Sequence, residues 1–186
     1  MVYMFLGTGF EETEAIVPLD LMRRAGIEVK TVGLNGNIIY GGHGIGIEAD
    51  ILPEETDPSA LEMIVLPGGL GGVASIRANQ WAMATLEWAY AKGKYIAAIC
   101  AAPTILAELG ITNGKHATCY PGCDENMGSA MIEKAASIRD GNIITGTSAG
   151  SATAFGLSLI RALRGDAAAN TVAEQIVIRT QEVSYG

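Results

Sequence analysis

What most constrains this chain is the alternation of short apolar, β-rich runs with segments of helical periodicity. Residues 2–6 (Val-Tyr-Met-Phe-Leu) form a continuous apolar run, the pattern of a strand buried on both faces. Residues 14–25 place Ile16, Val17, Leu19, Met22 and Ala25 at helical spacing, and Gly26 supplies the stop. Residues 27–32 alternate as a strand does, and residues 37–51, rich in Gly and β-formers, predict a short hairpin excursion. Residues 61–66 read as a second buried strand, ending in Pro67-Gly68-Gly69. Then come a helix over 79–92, a strand over 95–99, a helix over 101–109 closed by Gly110, and a strand over 142–145. Helices over 149–163 and 167–178, separated near Gly165, complete the pattern, and Gln181 to Gly186 read as a frayed tail. Strand and helix in turn, with short connections, specify an α/β fold with a mostly parallel sheet and helices on both faces.

Composition narrows the function. At 186 residues the chain suits one domain, 1–186, and its 49% apolar against 17% charged residues mark it as globular. A net charge of −8 without a basic stretch argues against nucleic acid or an anionic membrane as partner. No apolar run approaches the roughly 20 residues of a membrane span. The first residues lack the basic n-region of a signal peptide. Three cysteines, Cys100, Cys119 and Cys123, are an odd count that fits free thiols in a reducing, cytoplasmic setting. With only His43 and His116, and neither at ligand spacing from Cys119 or Cys123, no metal site is expected.

In an open parallel sheet, ligands collect beyond the carboxyl ends of the strands. Three loops leave such ends: 7–14, 67–72 and 100–103. In the last, the strand runs directly into Cys100, and Ala101-Ala102-Pro103-Thr104 opens a helix at once. Small residues two before and two after the cysteine, Ala98 and Ala102, are what a nucleophile elbow requires, although Gly is usual at both positions. Such a turn lifts the sulfur into the crevice at a helix N-terminus, where a thiolate is favoured and the thiol pKa is expected to fall.

Glu11, Glu12 and Glu14 cluster where the first helix opens. Helix-dipole complementation accounts for Glu11 and Glu12, while Glu14, if its loop folds over the crevice, could hydrogen-bond a thiolate or shuttle a proton. The glycine-rich loop at Gly68 and Gly69 offers backbone N–H donors to an oxyanion, and lacks the Lys-Ser/Thr ending of a phosphate-binding loop. No histidine neighbours Cys100, so no Cys-His pair is readable, and a lone loop histidine such as His43 is more often solvated than catalytic.

Five collinear segments together resemble the ThiJ/PfpI superfamily, particularly its DJ-one-like branch. They are Gly9-Phe10-Glu11-Glu12-Thr13-Glu14-Ala15, then Pro18 to Gly26, Val65-Leu66-Pro67-Gly68-Gly69, Ala97 to Pro103 around Cys100, and Thr118-Cys119-Tyr120-Pro121. The resemblance implies a flavodoxin-like three-layer sandwich that forms a homodimer, with Cys100 as the oxidation-prone nucleophile and Glu14 as its carboxylic partner. It also implies Gly69 and Ala101 as the backbone donors of an oxyanion site. Many relatives carry His where this chain has Tyr120, and a phenol is a far poorer base than imidazole near neutral pH. In relatives the loop holding His43 lies near the dimer interface and the active site, where its imidazole could replace the missing one.

Two functions follow from the resemblance. In one, the chain is a cofactor-independent enzyme on reactive carbonyls, of glyoxalase or deglycase type, converting methylglyoxal or its glycated adducts to a hydroxy acid such as lactate. In the other, it is a redox-responsive protective protein whose Cys100 oxidises to sulfinate without turnover. A catabolic or thiamine-related activity is the third option. Ala101 stands where the family's proteases need His after the cysteine, and no His follows His116 to complete an amidotransferase triad.

Overall fold

β1 (Val2–Leu6) is buried along its whole length, and its pleat divides it between two cores. In the computed structural model of the chain, which describes residues 1–178, Val2, Met4 and Leu6 face one side of the sheet. Tyr3 and Phe5 face the other. The expectation for Gln181 to Gly186 lies outside the described residues.

After β1 come α1 (Glu12–Arg24), β2 (Val29–Gly33) and a hairpin of β3 (Ile38–Tyr40) and β4 (Gly46–Glu48). β5 (Met63–Leu66), α2 (Leu70–Ala78), α3 (Gln80–Ala91), β6 (Tyr95–Ile99) and α4 (Pro103–Glu108) follow. Next are β7 (His116–Ala117), β8 (Met131–Ile132), β9 (Ser137–Asp140), β10 (Ile143–Gly146) and α5 (Ala152–Gln175). The central sheet has the order β2-β1-β5-β6-β10-β9. Every pairing in it is parallel except β9 with β10. The α/β architecture with a mostly parallel sheet is therefore as expected.

Helices α1 and α5 cover one face, burying Leu19, Met22, Phe155, Leu159 and Ile160 against β1. Helices α2, α3 and α4 cover the other, through Val73, Ile76, Leu86, Ile105 and Leu106. The helix expected over 149–163 begins as a 3-10 turn, Ala149–Ser151. Gly165 (φ 84°, ψ 176°) breaks α5 where the sequence places a boundary. Helix α2 departs from the reading of 67–72 as loop: two glycines in its first turn weaken its intrinsic propensity, and burial of Val73 and Ile76 overrides that. Strands β8 and β9 are further elements that the sequence pattern did not mark, whereas β7 begins at His116, read from the sequence as the exposed start of a strand. Among the described residues no helix is long and apolar enough to cross a membrane.

Candidate active site

Parallel strands β1, β5, β6 and β10 lie side by side, so the loops leaving their carboxyl ends meet at one edge of the sheet. The loop after β1 leads into α1 and Glu14, the loop after β5 is Pro67-Gly68-Gly69, β6 ends at Cys100, and β10 leads into 147–151.

Cys100 has φ 66°, in the left-handed region that non-glycine residues avoid at a cost of roughly 1–2 kcal/mol. Hydrogen bonds hold it there from both sides. Its N–H donates to the Gly146 carbonyl at 2.9 Å, and its own carbonyl accepts the Tyr120 N–H at 2.8 Å. Ala98 and Ala102 are fully buried beside it. The bend delays the following helix, which starts at Pro103 rather than at Ala101.

Glu14, in the first turn of α1, is 1% exposed. Its Oε2 accepts the Gly68 N–H at 2.9 Å, and its carboxyl is hydrogen-bonded to the Cys100 sulfur. Gly68 permits this approach, because a Cβ there would fall 2.7 Å from Cys100 Cβ and overlap the Glu14 carboxylate. Gly69 adopts φ 83° and turns its N–H toward the sulfur, which also receives the Ala101 N–H. Cys100, Glu14, Gly69, Ala101 and Tyr120 line one cavity of about 530 Å³. Its far wall is Ser148-Ala149-Gly150, after β10. That wall was not anticipated, although a Gly/Ser-rich turn after a parallel strand was its available signal. A neighbouring hollow of about 600 Å³ shares Tyr120, Ser148 and Gly150, and its one thiol is the buried Cys119.

The electrostatics correct one expectation. Burial pushes the Glu14 carboxyl up to about 7, against hydrogen bonds from Cys100 and Gly68 that lower it. Burial, then the Glu14 charge and hydrogen bond, push the Cys100 thiol up to about 12, against the Ala101 and Gly69 N–H groups. The thiol pKa therefore rises rather than falls: α4 has six residues and begins three positions beyond the sulfur, too short and too far to offset desolvation. The two groups share a hydrogen bond, so their protons leave as from one pair, the first near 7 and the second near 12. Between those limits the pair holds one proton and one negative charge.

His43 stands apart from this pair and does not line the cavity. Its exposed ring places Nδ1 at 2.8 Å from Glu12 Oε2 and 3.4 Å from Glu11 Oε2, and the His43 backbone N–H donates to Glu12 Oε1 at 2.7 Å. The Glu12 hydrogen bond, then the Glu11 and Glu12 charges, raise the His43 pKa. Burial pushes Glu12 up, but the hydrogen bonds from His43 and from backbone N–H groups outweigh it, and the net shift is down. Glu12, in the first turn of α1 as the dipole reading requires, is also a buried anchor for the β3–β4 hairpin. Among the described residues, Glu11, Glu12 and His43 are the group that could chelate a cation, and those ligand atoms already satisfy one another. Cys119 and Cys123 join no such group.

The model of the DJ-1/PfpI family matches residues 1–162. The chain is 34% identical to protein dj-1beta of Drosophila melanogaster, covering 94% of this chain and 95% of that one. It is 30% identical to a deglycase of Pyrococcus abyssi, over 83% and 94% of the two chains. A solved DJ-1 superfamily protein from Salmonella typhimurium superposes with a TM-score of 0.90 at 32% identity, covering 96% and 98% of the chains.

Proposed function

The chain belongs to the DJ-1/PfpI family, and from that premise we propose that it is a cysteine-dependent enzyme acting on reactive carbonyls, of the glyoxalase or deglycase type. The observation that carries this reading is Cys100, held at φ 66°, facing a cavity with the buried Glu14 carboxyl beside it and two backbone N–H groups directed at its sulfur. Relatives named as deglycases support the substrate class of small carbonyls or glycated adducts.

In the proposed reaction the Cys100 proton passes to the Glu14 carboxylate as the sulfur adds to the aldehyde carbon of methylglyoxal. The oxyanion takes the Gly69 and Ala101 N–H groups and then the proton from Glu14. Glu14 next moves the hydrogen from the thiohemiacetal carbon to the adjacent carbonyl carbon, while the hydroxyl proton passes to that carbonyl's oxygen, leaving a lactoyl thioester on Cys100. Water hydrolyses the thioester to lactate and frees Cys100, so one methylglyoxal and one water give one lactic acid. This sequence needs no metal or organic cofactor. Tyr120 closes the cavity and its hydroxyl serves as a hydrogen-bond donor, while His43 positions the β3–β4 hairpin rather than acting as base.

The second reading, a redox-protective role, draws on the same half-exposed sulfur: the N–H donors and Glu14 that bind an oxyanion also suit the oxygens of a sulfinate. Exposed Ile16, Ile38, Tyr40 and Ile45 on α1 and the β3–β4 hairpin favour a homodimer through that face, and the free thiols favour the cytoplasm. Consumption of glyoxal and methylglyoxal by wild type and Cys100→Ser tests the enzyme. Turnover lost in the variant is expected, and no turnover in the wild type overturns the reading.

A further inference from the structure

Cys100 is not the only thiol in its cavity. Cys123 lines the same wall, and both are partly exposed, whereas Cys119 is buried. Cys123 also lines an adjoining cavity of about 470 Å³ that shares Leu70 and Ala101 with the first, so its side chain borders open space on two sides. Backbone hydrogen bonds connect the two cysteines through one residue. The Cys100 carbonyl accepts the Tyr120 N–H at 2.8 Å, and the Tyr120 carbonyl accepts the Cys123 N–H at 2.9 Å. The turn from Tyr120 to Cys123 is exposed at Tyr120, Pro121 and Gly122, with Gly122 at φ 91°.

We propose that Cys123 is a resolving cysteine, which captures peroxide-oxidised Cys100 as a Cys100–Cys123 disulfide. This rests on Cys100 being the reactive sulfur, but not on carbonyl turnover. In the first step the Cys100 thiolate attacks one oxygen of a hydroperoxide. The S–O bond forms, the O–O bond breaks, and the Glu14 carboxylic acid protonates the departing oxygen, giving a sulfenic acid and water or an alcohol. In the second step the Cys123 sulfur attacks the sulfenic sulfur, the S–O bond breaks, and the Cys123 proton leaves with the hydroxide as water. Two thiols and one peroxide become one disulfide, and the peroxide is the oxidant. Closing the bond needs Cα atoms within about 7 Å, which the proposal requires of the exposed 120–123 turn. The disulfide would block the cavity reversibly and hold Cys100 short of the irreversible sulfinate.

The test is peptide mapping after two equivalents of hydrogen peroxide, without reductant, on wild type, Cys123→Ser and Cys119→Ser. The expected result is a crosslinked peptide pair holding Cys100 and Cys123, released by dithiothreitol, in wild type and Cys119→Ser alike. In Cys123→Ser the crosslink is lost and Cys100 gains two oxygens instead. A Cys119–Cys123 crosslink, or the same Cys100 product with and without Cys123, overturns the proposal. Iodoacetamide labelling of Cys100 in the untreated protein separates this failure from that of the nucleophile itself. Because the readout is a mass, a protein with no carbonyl turnover still answers the question.

Discussion

Replacing Glu14 by Gln should change how stability depends on pH, by an amount set by the carboxyl's burial. Its pKa rises from an ordinary 4.5 to about 7 in the folded chain, which corresponds to about 3 kcal/mol at ~1.4 kcal/mol per tenfold change in proton affinity. A carboxyl that holds its proton more tightly when folded stabilises the fold below the unfolded pKa of about 4.5. That contribution is lost as pH rises through about 7. Cys100 is shifted in the same direction, but its window opens above 9 and does not overlap this one. Glutamine keeps an oxygen for the Gly68 N–H, so its own packing adds an offset independent of pH. Urea unfolding of wild type and Glu14→Gln at pH 4.5 and pH 8 should therefore show the variant gaining about 3 kcal/mol on wild type across the interval. Parallel stability profiles would refute the burial of an ionising Glu14.

Other consequences can be checked in the same preparations. Carbonyl turnover should rise with pH through about 7, as the Cys100–Glu14 pair loses its first proton, and then level off; a profile flat from pH 5 to 9 contradicts this. Gly68→Ala brings a Cβ within 2.7 Å of Cys100 Cβ and should cost about 1–3 kcal/mol and abolish turnover, seen by thermal melts and lactate assay. Cys100→Gly should remove activity yet stabilise the fold by about 1 kcal/mol, since glycine accepts the left-handed backbone without strain. His43→Ala should leave the pH profile of Cys100 alkylation unchanged while speeding hydrogen exchange in the β3–β4 hairpin, because its contacts are with Glu12 and Glu11.

Much of this arrangement is legible in the residues alone. Continuous apolar runs at 2–6 and 95–99 mark strands covered on both faces, and small residues at Ala98 and Ala102 mark the bend around Cys100. Helix α2 escapes notice because packing rather than propensity makes it, and β9 because its side chains are only partly buried and carry no clean alternation. The Asp140-Gly141 step, with Gly141 at φ 62°, was the turn signal for that strand. The direction of the Cys100 pKa shift was not readable, since it depends on the depth of burial and on a carboxyl 86 positions away in sequence. The anchoring role of Glu12 was hidden for the same reason. Its role comes from a hairpin folded back over the helix start, a long-range contact that no local pattern encodes.

The central claim is that Cys100 and Glu14 act as one proton-sharing unit, and the most direct measurement is the rate of Cys100 alkylation by iodoacetamide against pH, resolved by mass spectrometry. In wild type, the Cys100 rate should step up as the pair loses its first proton near pH 7 and climb again toward the second near 12. In Glu14→Gln the step near pH 7 should vanish, leaving a single rise below pH 12, because the Glu14 charge and hydrogen bond that raise the Cys100 thiol are gone. Superimposable profiles for the two proteins would contradict the account.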